Sequence, residues 1–372
     1  MTRPRSAPTI SSFQRALAAI GFAAALALPA AAQRAPMAAE HVPLRWASAT
    51  QEAPARSGVI AERVVHVEGA RSMRLLFDAI ELAPGSVLRL TSLTDGARQH
   101  LNATTARQWR QTSAYFNGSA VLVELIAAEG SRGNRVALRE VRAGRADAAP
   151  ESQCGASDDR VPSFAPNRAR LVDIGCTANL MAEGCFTTAG HCLENDALVD
   201  VIEFNVPPSN ANGSIVHPPP SDQYVPTENR RYSDEGQGLD WGVFTVFANT
   251  ETGLTPLEAQ GAGLALAAGL PALRERVEIT GYGVDSGVAN QTQQVSTGRI
   301  TQVKPETHQL FYRSDTEGGN SGSAVLVAGQ VAAIHTNGGC RVRGRGANNG
   351  TLVTEPDFKI SYGLVCGGTA KR

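Results

Sequence analysis

The chain has 372 residues, a formal net charge of −1 and only 5% aromatic residues, with 37 Gly, 20 Pro and six Cys. That length allows more than one domain, and the near-neutral charge excludes a protein drawn in bulk to nucleic acid or to an anionic membrane. Abundant Gly and Pro with few aromatics predict a turn-rich β protein. In chain order, Arg3, Arg5 and Arg15 flank a small, apolar run over 16–32 that ends Ala30-Ala31-Ala32. This predicts a secretory signal over 1–32 cleaved after Ala32, because the run is short for a membrane anchor. Residues 33–57 are rich in Ala and Pro and read as a linker.

Strand-like runs follow at Val59–Val67, Met73–Leu82, Val87–Leu93, Ala120–Ala127 and Val136–Val141. Turn signals such as Ala83-Pro84-Gly85-Ser86 and Thr94-Asp95-Gly96 separate them. They predict a small β-sandwich over about 58–146. Polar residues over 142–168 mark a domain boundary. Beyond it, residues 169–366 alternate short strands and turns with little helical periodicity. Gly261–Arg276, rich in Ala and Leu, reads either as a short helix or as a connector between two β units.

Three motifs in this second half carry chemistry. Glu317-Gly318-Gly319-Asn320-Ser321-Gly322-Ser323 precedes the apolar run Ala324–Ala328. Its glycines permit a tight turn whose N–H groups converge on one point, as an oxyanion needs. A Gly-Ser run can equally be a plain turn. Upstream, His191 follows Cys185-Phe186-Thr187-Thr188-Ala189-Gly190, and Asp240 heads the apolar run Trp241–Val246. A buried Asp needs a partner, and His191 is a candidate. The chain order is His…Asp…Ser, and Ser321 is not in a Gly-x-Ser-x-Gly elbow.

Together, Thr188-Ala189-Gly190-His191-Cys192, Asp240-Trp241-Gly242-Val243 and Gly318–Ser323 resemble the three signatures of the chymotrypsin/trypsin superfamily of serine peptidases. The resemblance implies an all-β fold of two six-stranded antiparallel barrels, at roughly 166–250 and 272–366, with the cleft between them. It implies Ser321 as nucleophile, His191 as general base and Asp240 as its orienting partner, with the N–H groups of Gly319 and Ser321 as the oxyanion hole. Glu278–Gly283, Ser296–Ile300, Gly318–Ser323 and Ile334–Gly339 are similar to the second barrel of bacterial glutamyl endopeptidases. The sandwich, through Met73–Phe77, Leu82–Leu90 and Ala120–Leu125, resembles the pro-region of bacterial lysyl endopeptidases. The implied organisation is a signal over 1–32, a pro-region over 33–150 and a peptidase domain over 151–372. A free-standing binding module is the alternative for the sandwich.

The six cysteines all lie between Cys154 and Cys366, and an even count in an exported chain suggests three disulfides whose pairing sequence alone leaves open. The resemblance implies Cys176–Cys192 and Cys154–Cys340, which leaves Cys185–Cys366. Neither Cys-x-x-Cys nor His-Glu-x-x-His occurs, so no metal and no cofactor are expected. The expected protein is a secreted monomer, extracellular or periplasmic, off the membrane once its signal is removed. Its expected partners are protein or peptide substrates and its own pro-region.

The chain departs from the animal trypsin pattern at Asn320, where a carboxylate would receive a freed terminal amine. Removal of the pro-region is therefore the expected activation route. For specificity, His335 and Thr316 match positions that contact a Glu side chain in glutamyl endopeptidases, though lysyl endopeptidases also have a His at the position of His335, and Thr336 and Gly338 are further candidates for substrate binding. Asp315, six residues before Ser321, would instead favour a basic side chain or merely bond to nearby backbone. The Asp expected of lysyl endopeptidases near Asn348 or Asn349 is absent. The boundary holds Arg139, Arg142 and Arg145 and no Lys, so self-maturation after Arg would use Arg145, and maturation after Glu would use Glu140 or Glu151. Two other functions are the alternatives: a catalytically inactive or adhesive protein using the fold for binding, against which the three triad residues argue, and an esterase, which the order and motifs disfavour.

Overall fold

In the N-terminal half the strands turn one face to a common core, most regularly over Val87–Ser92 and Arg98–Leu101. Val121, Val123, Leu125 and Ala127 are fully buried on one face of their strand, and Val87 to Ser92 bury every second residue. The computed structural model describes residues 34–49, 54–144, 153–194, 199–340 and 346–367. The expected signal over 1–32, and Arg145 and Glu151 at the expected maturation site, lie outside the described residues. The elements of this half are β1 (Ala39–Ala47), β2 (Gly58–His66), β3 (Ser72–Glu81), β4 (Val87–Ser92), β5 (Arg98–Leu101), α1 (Ala103–Gln108), β6 (Phe116–Asn117), β7 (Ala120–Ala127) and β8 (Arg135–Gly144). They form two antiparallel four-stranded sheets, ordered β1-β8-β3-β6 and β2-β7-β4-β5, which share one apolar core of Met73, Leu75, Leu88, Leu90, Val123 and Leu138 among others.

The stretch read as a linker therefore contains a strand. β1 pairs with β8 from Ala39↔Gly144 to Ala47↔Ala137. Its Val42, Leu44 and Trp46 are half-buried while Pro43, Arg45 and Ala47 face solvent, a period-two pattern that the Ala and Pro content obscures. The helix α1 was likewise not anticipated. Asn102 caps it, accepting from the N–H groups of Thr104 and Thr105.

The second half begins with β9 (Val161–Pro162), β10 (Arg168–Asp173), β11 (Cys176–Leu180), β12 (Phe186–Thr188), β13 (Val199–Glu203), β14 (Gln223–Tyr224), β15 (Pro226–Asp234) and β16 (Asp240–Val246). After α2 (Pro256–Gln260) come β17 (Arg276–Gly281), β18 (Gln294–Lys304), β19 (Gln309–Arg313), β20 (Ala324–Val327), β21 (Gln330–Asn337), β22 (Asn348–Leu352) and α3 (Pro356–Cys366). The later strands close a six-stranded barrel, β17-β20-β21-β22-β19-β18 and back to β17, with β9 added on β18. The earlier ones form an antiparallel sheet ordered β14-β13-β10-β11-β12-β16-β15. Among the described residues no strand pairing closes that sheet, so the first unit is a half-barrel where a closed one was expected. Its interior holds stacked and tilted rings of Phe186, Phe204, Phe244 and Tyr224, each burying surface worth about 1.5–3 kcal/mol.

No helix forms over Gly261–Arg276. That stretch is the connector, and its isolated bridges Met181↔Leu264 and Leu266↔Val331 touch one barrel and then the other. The helix that does form at the end, α3, starts where Glu355 accepts from the N–H groups of Asp357 and Phe358 and Pro356 occupies the first turn. It lays Phe358 edge-on to Trp241 of β16, and Cys366 is bridged to Cys185. The other disulfides are Cys154–Cys340 and Cys176–Cys192. Among the described residues no helix is long and apolar enough to cross a membrane.

The sandwich packs on the half-barrel through polar pairs. Arg142 reaches Asp173 at 2.6 Å, and Tyr115 stacks on His217. The Gln223 side chain bonds both the N–H and the carbonyl of Tyr115, and Asn117 does the same for His217. His217 in turn joins Arg170 around Glu203, and all three side chains are buried. Burial alone would raise the Glu203 carboxyl, but His217 and Arg170 outweigh it and hold it below its usual range.

Candidate active site

β12 and β16 are neighbours in register, with Thr188 opposite Gly242, so the turn after β12 meets the start of β16. That turn, Gly190–Cys192, is a single 3-10 turn. It lies so close to the chain that a Cβ on Gly190 would stand 1.7 Å from the Ser233 carbonyl oxygen. Only glycine fits there. The result is a two-point clasp on Asp240. The His191 backbone N–H donates to Oδ1 at 3.0 Å, and the ring Nδ1 pairs with Oδ2 at 2.6 Å. This assigns the ring proton to Nδ1 and turns Nε2, which is buried and has no hydrogen-bond partner, into the basic nitrogen. The backbone of Asp240 is fixed from the second barrel, since Thr351 Oγ1 donates to its carbonyl at 2.8 Å. Asp234, its cross-strand partner, has its carboxyl pushed up by burial and then by the Asp240 charge.

The serine loop is held by β11 across the barrel boundary. The Thr177 N–H donates to the Ser321 carbonyl at 2.8 Å, Thr177 Oγ1 to the Gly319 carbonyl and Asn179 Nδ2 to the Gly322 carbonyl. Gly319 and Gly322 both take left-handed φ, +101° and +89°. A Cβ would stand 2.3 Å from the Tyr282 oxygen at Gly319 and 2.1 Å from the Thr177 oxygen at Gly322. Asn320 locks the turn, its Oδ1 accepting from the Glu317 N–H at 2.9 Å. Cys176, adjacent to Thr177, is bridged to Cys192, adjacent to His191, which draws β11 and the histidine turn together. The structure thus gathers His191, Asp240, Gly319 and Ser321 at the junction of the two β units. Ser321 has no solvent exposure and His191 only 2%.

The pocket residues are differently placed from their sequence reading. Asp315 does not present an open charge. Its Oδ1 accepts from the Cys154 N–H at 2.6 Å and its Oδ2 from the Asp159 N–H at 2.8 Å. His335 is fully buried, its Nδ1 paired with the Tyr312 hydroxyl, and burial followed by the nearby His191 lowers its pKa to about 3. It is neutral and supplies no cation for an acidic side chain. Asn348 holds Thr316 through Nδ2, and its Oδ1 accepts from the N–H groups of Gly339 and Cys340. Thr336 Oγ1 bonds Asn337 beside it, and Gly338 lies between that residue and Gly339. Sequence reading missed the positioning roles of Thr177, Asn179, Asn348 and Thr351, none of which lies in a motif. Their signal is the buried polar side chain on a strand.

Glu140, read as a possible maturation site, and Arg142 of the same boundary lie within β8, which is paired on both sides by β1 and β3. Arg142 is also bound to Asp173, so neither bond is open to a peptidase while the sandwich is folded.

No curated protein matches the chain. Many solved structures resemble it, among them these three. A Glu endopeptidase in complex with MPD has 20% identity and a TM-score of 0.43, covering 57% of this chain and 98% of its own. A thermostable serine protease, AL20, from an extremophilic microorganism has 16% identity and a TM-score of 0.42, covering 55% and 99%. Mouse neuropsin, a serine protease expressed in the limbic system, has 14% identity and a TM-score of 0.40, covering 54% and 95%. The family model for trypsin matches residues 159–354, more than half of the length and all three motifs, and the chain belongs to the trypsin family of chymotrypsin-like serine peptidases.

Proposed function

We propose that the chain is a secreted serine endopeptidase made as a precursor, with a pro-region over 33–150 and a peptidase domain over 151–372. The observation that carries this reading is the two-point clasp of Asp240 on His191, which leaves Nε2 as the base beside the Ser321 loop. In the proposed reaction Ser321 Oγ attacks the substrate carbonyl while His191 Nε2 takes its proton. The N–H groups of Gly319 and Ser321 stabilise the oxyanion. As the carbon–nitrogen bond breaks, His191 returns the proton to the leaving amine. A water then attacks the acyl-enzyme with His191 as base, releasing the acid and restoring Ser321.

The substrates proposed are proteins or peptides, and the working form is a monomer outside the cytoplasm. Three disulfides support an oxidising location. With Asp315 bound to backbone and His335 neutral, neither a basic nor an acidic side chain finds a free counter-charge in these two residues. A fluorophosphonate probe tests the reading on the matured protein. Labelling that disappears in Ser321→Ala, together with turnover of peptide substrates, is expected. Labelling with ester turnover only would indicate an esterase, and no labelling would indicate a binding protein that has kept the fold.

A further inference from the structure

The segment Arg34–Met37, which leads into β1, lies against residues that flank the proposed catalytic ones. The Ala35 N–H donates to the Gly175 carbonyl at 2.9 Å and the Met37 N–H to the Asp173 carbonyl at 3.2 Å. Donors two residues apart meeting acceptors two residues apart in reverse order is the pairing of an antiparallel ladder. Pro36 supports it by biasing Ala35 toward extended backbone. The approach is tight. A Cβ on Gly175, which has φ +63°, would stand 1.8 Å from the Ala35 oxygen, and one on Gly318 would stand 3.0 Å from the Arg34 oxygen. The Arg34 guanidinium lies 3.6 Å from the Glu194 carboxylate, and Ala35 and Met37 are buried.

These partners border the reacting groups. Gly175 precedes Cys176, which is bridged to Cys192 beside His191, and Glu194 is three residues past that histidine. Gly318 precedes Gly319 of the oxyanion loop. The segment therefore passes on the histidine flank of Ser321, where the leaving amine departs with the proton His191 returns. Resting on the catalytic reading above, we propose that Arg34–Met37 is a built-in competitor. It occupies the strip Asp173–Gly175 as an extended peptide and blocks the leaving-group side of the cleft until the sandwich departs. The sandwich anchors it at the Met37 end of the contact, through β1 behind Met37 and through Arg142 on Asp173. The catalytic loops behind it are already assembled, with Asn320 holding Glu317 and Asp315 holding Cys154 and Asp159. The uncleaved chain is thus obstructed, not disordered, at its active site.

The test compares fluorophosphonate labelling of the intact and matured bands of the full chain, in the wild type and in two variants. Arg34→Glu sets two carboxylates together and keeps every backbone bond. Ala35→Pro removes the N–H that donates to Gly175. Labelling of the intact band is expected to rise about two- to fivefold in Arg34→Glu and about tenfold in Ala35→Pro. The matured band, which lacks these residues, should label equally in all three proteins. If Ala35→Pro fails to fold, Arg34→Glu alone decides. Intact wild-type protein labelling as fast as the matured form, or an intact band unchanged by the variants, would overturn the proposal and leave the catalytic reading standing. Absence of labelling in both bands would overturn the catalytic reading and this proposal with it.

Discussion

Replacing Arg142 by Met should loosen the sandwich from the half-barrel more than any other single change at that interface. The guanidinium lies 2.6 Å from Asp173, whose side chain has no solvent exposure, while Arg142 retains 13%. Met preserves most of the side-chain volume, so the loss is the charge. Removing one partner of a buried ion pair costs about 3–5 kcal/mol, because the remaining carboxylate is left without compensation. Tyr115 stays near: its hydroxyl is pushed well up by burial and then by the Asp173 charge. That neighbour favours the lower end of the range, about 3 kcal/mol, or roughly two orders of magnitude in the docked-to-undocked ratio. The assay is urea unfolding of the full chain in a Ser321→Ala background, which prevents self-cleavage, joined to hydrogen exchange at the Met37 amide. That amide donates to the Asp173 carbonyl and should lose protection in parallel. The double variant Arg142→Met with Asp173→Asn removes both charges, and its cost should fall below about 2 kcal/mol. A single variant costing under about 1 kcal/mol, or a double variant as costly as the single, would refute the assignment of a buried pair that holds the two halves together.

Two further outcomes follow from the pocket. Asp315→Asn offers one acceptor oxygen where two N–H groups need one each, so stability should drop by about 1–3 kcal/mol. The preference among Arg, Lys and Glu peptides should stay as in the wild type, and a reversal in a peptide-library profile would show that Asp315 reads substrate after all. His335 titrates near 3 when folded against an ordinary value of 6.5, so the unfolded chain binds the extra proton between those limits. Its contribution to stability is therefore intact above about pH 6.5 and falls as pH drops toward 3, by up to about 1.4 kcal/mol per unit. Denaturant midpoints of wild type and His335→Gln at pH 4 and pH 7 check this, and equal pH dependence in the two would contradict it.

Much of the candidate site was legible because it is written in short contiguous motifs with a fixed order. His191, Asp240 and Ser321 each sit beside glycines whose close backbone approaches leave no choice of residue, as at Gly190 and Gly322. The strand Ala120–Ala127 was equally plain, since it is a short, nearly continuous apolar run bounded by turn residues. What stayed hidden depends on distant partners. β1 reads as a linker because its alternation is carried by only three apolar residues among Ala and Pro, and its partner strand lies almost a hundred residues away. The role of Asp315 turned on two backbone donors from 153–160, a segment with no motif. The placement of Arg34–Met37 turned on Gly175 and Gly318, which individually look like ordinary turn residues.

The Cys154–Cys340 bridge bears on how fast such a precursor could switch on. If the chain is cut within 145–152, the catalytic half is tethered from Cys154 onward, whose sulfur is already bonded to Cys340 and whose N–H is already held by Asp315. Scission would then ask for no rearrangement beyond that tether. The lag before activity would be the residence time of the severed sandwich on Asp173, Gln223 and His217. That lag is first-order, insensitive to protein concentration, and shortened by anything that weakens those three contacts.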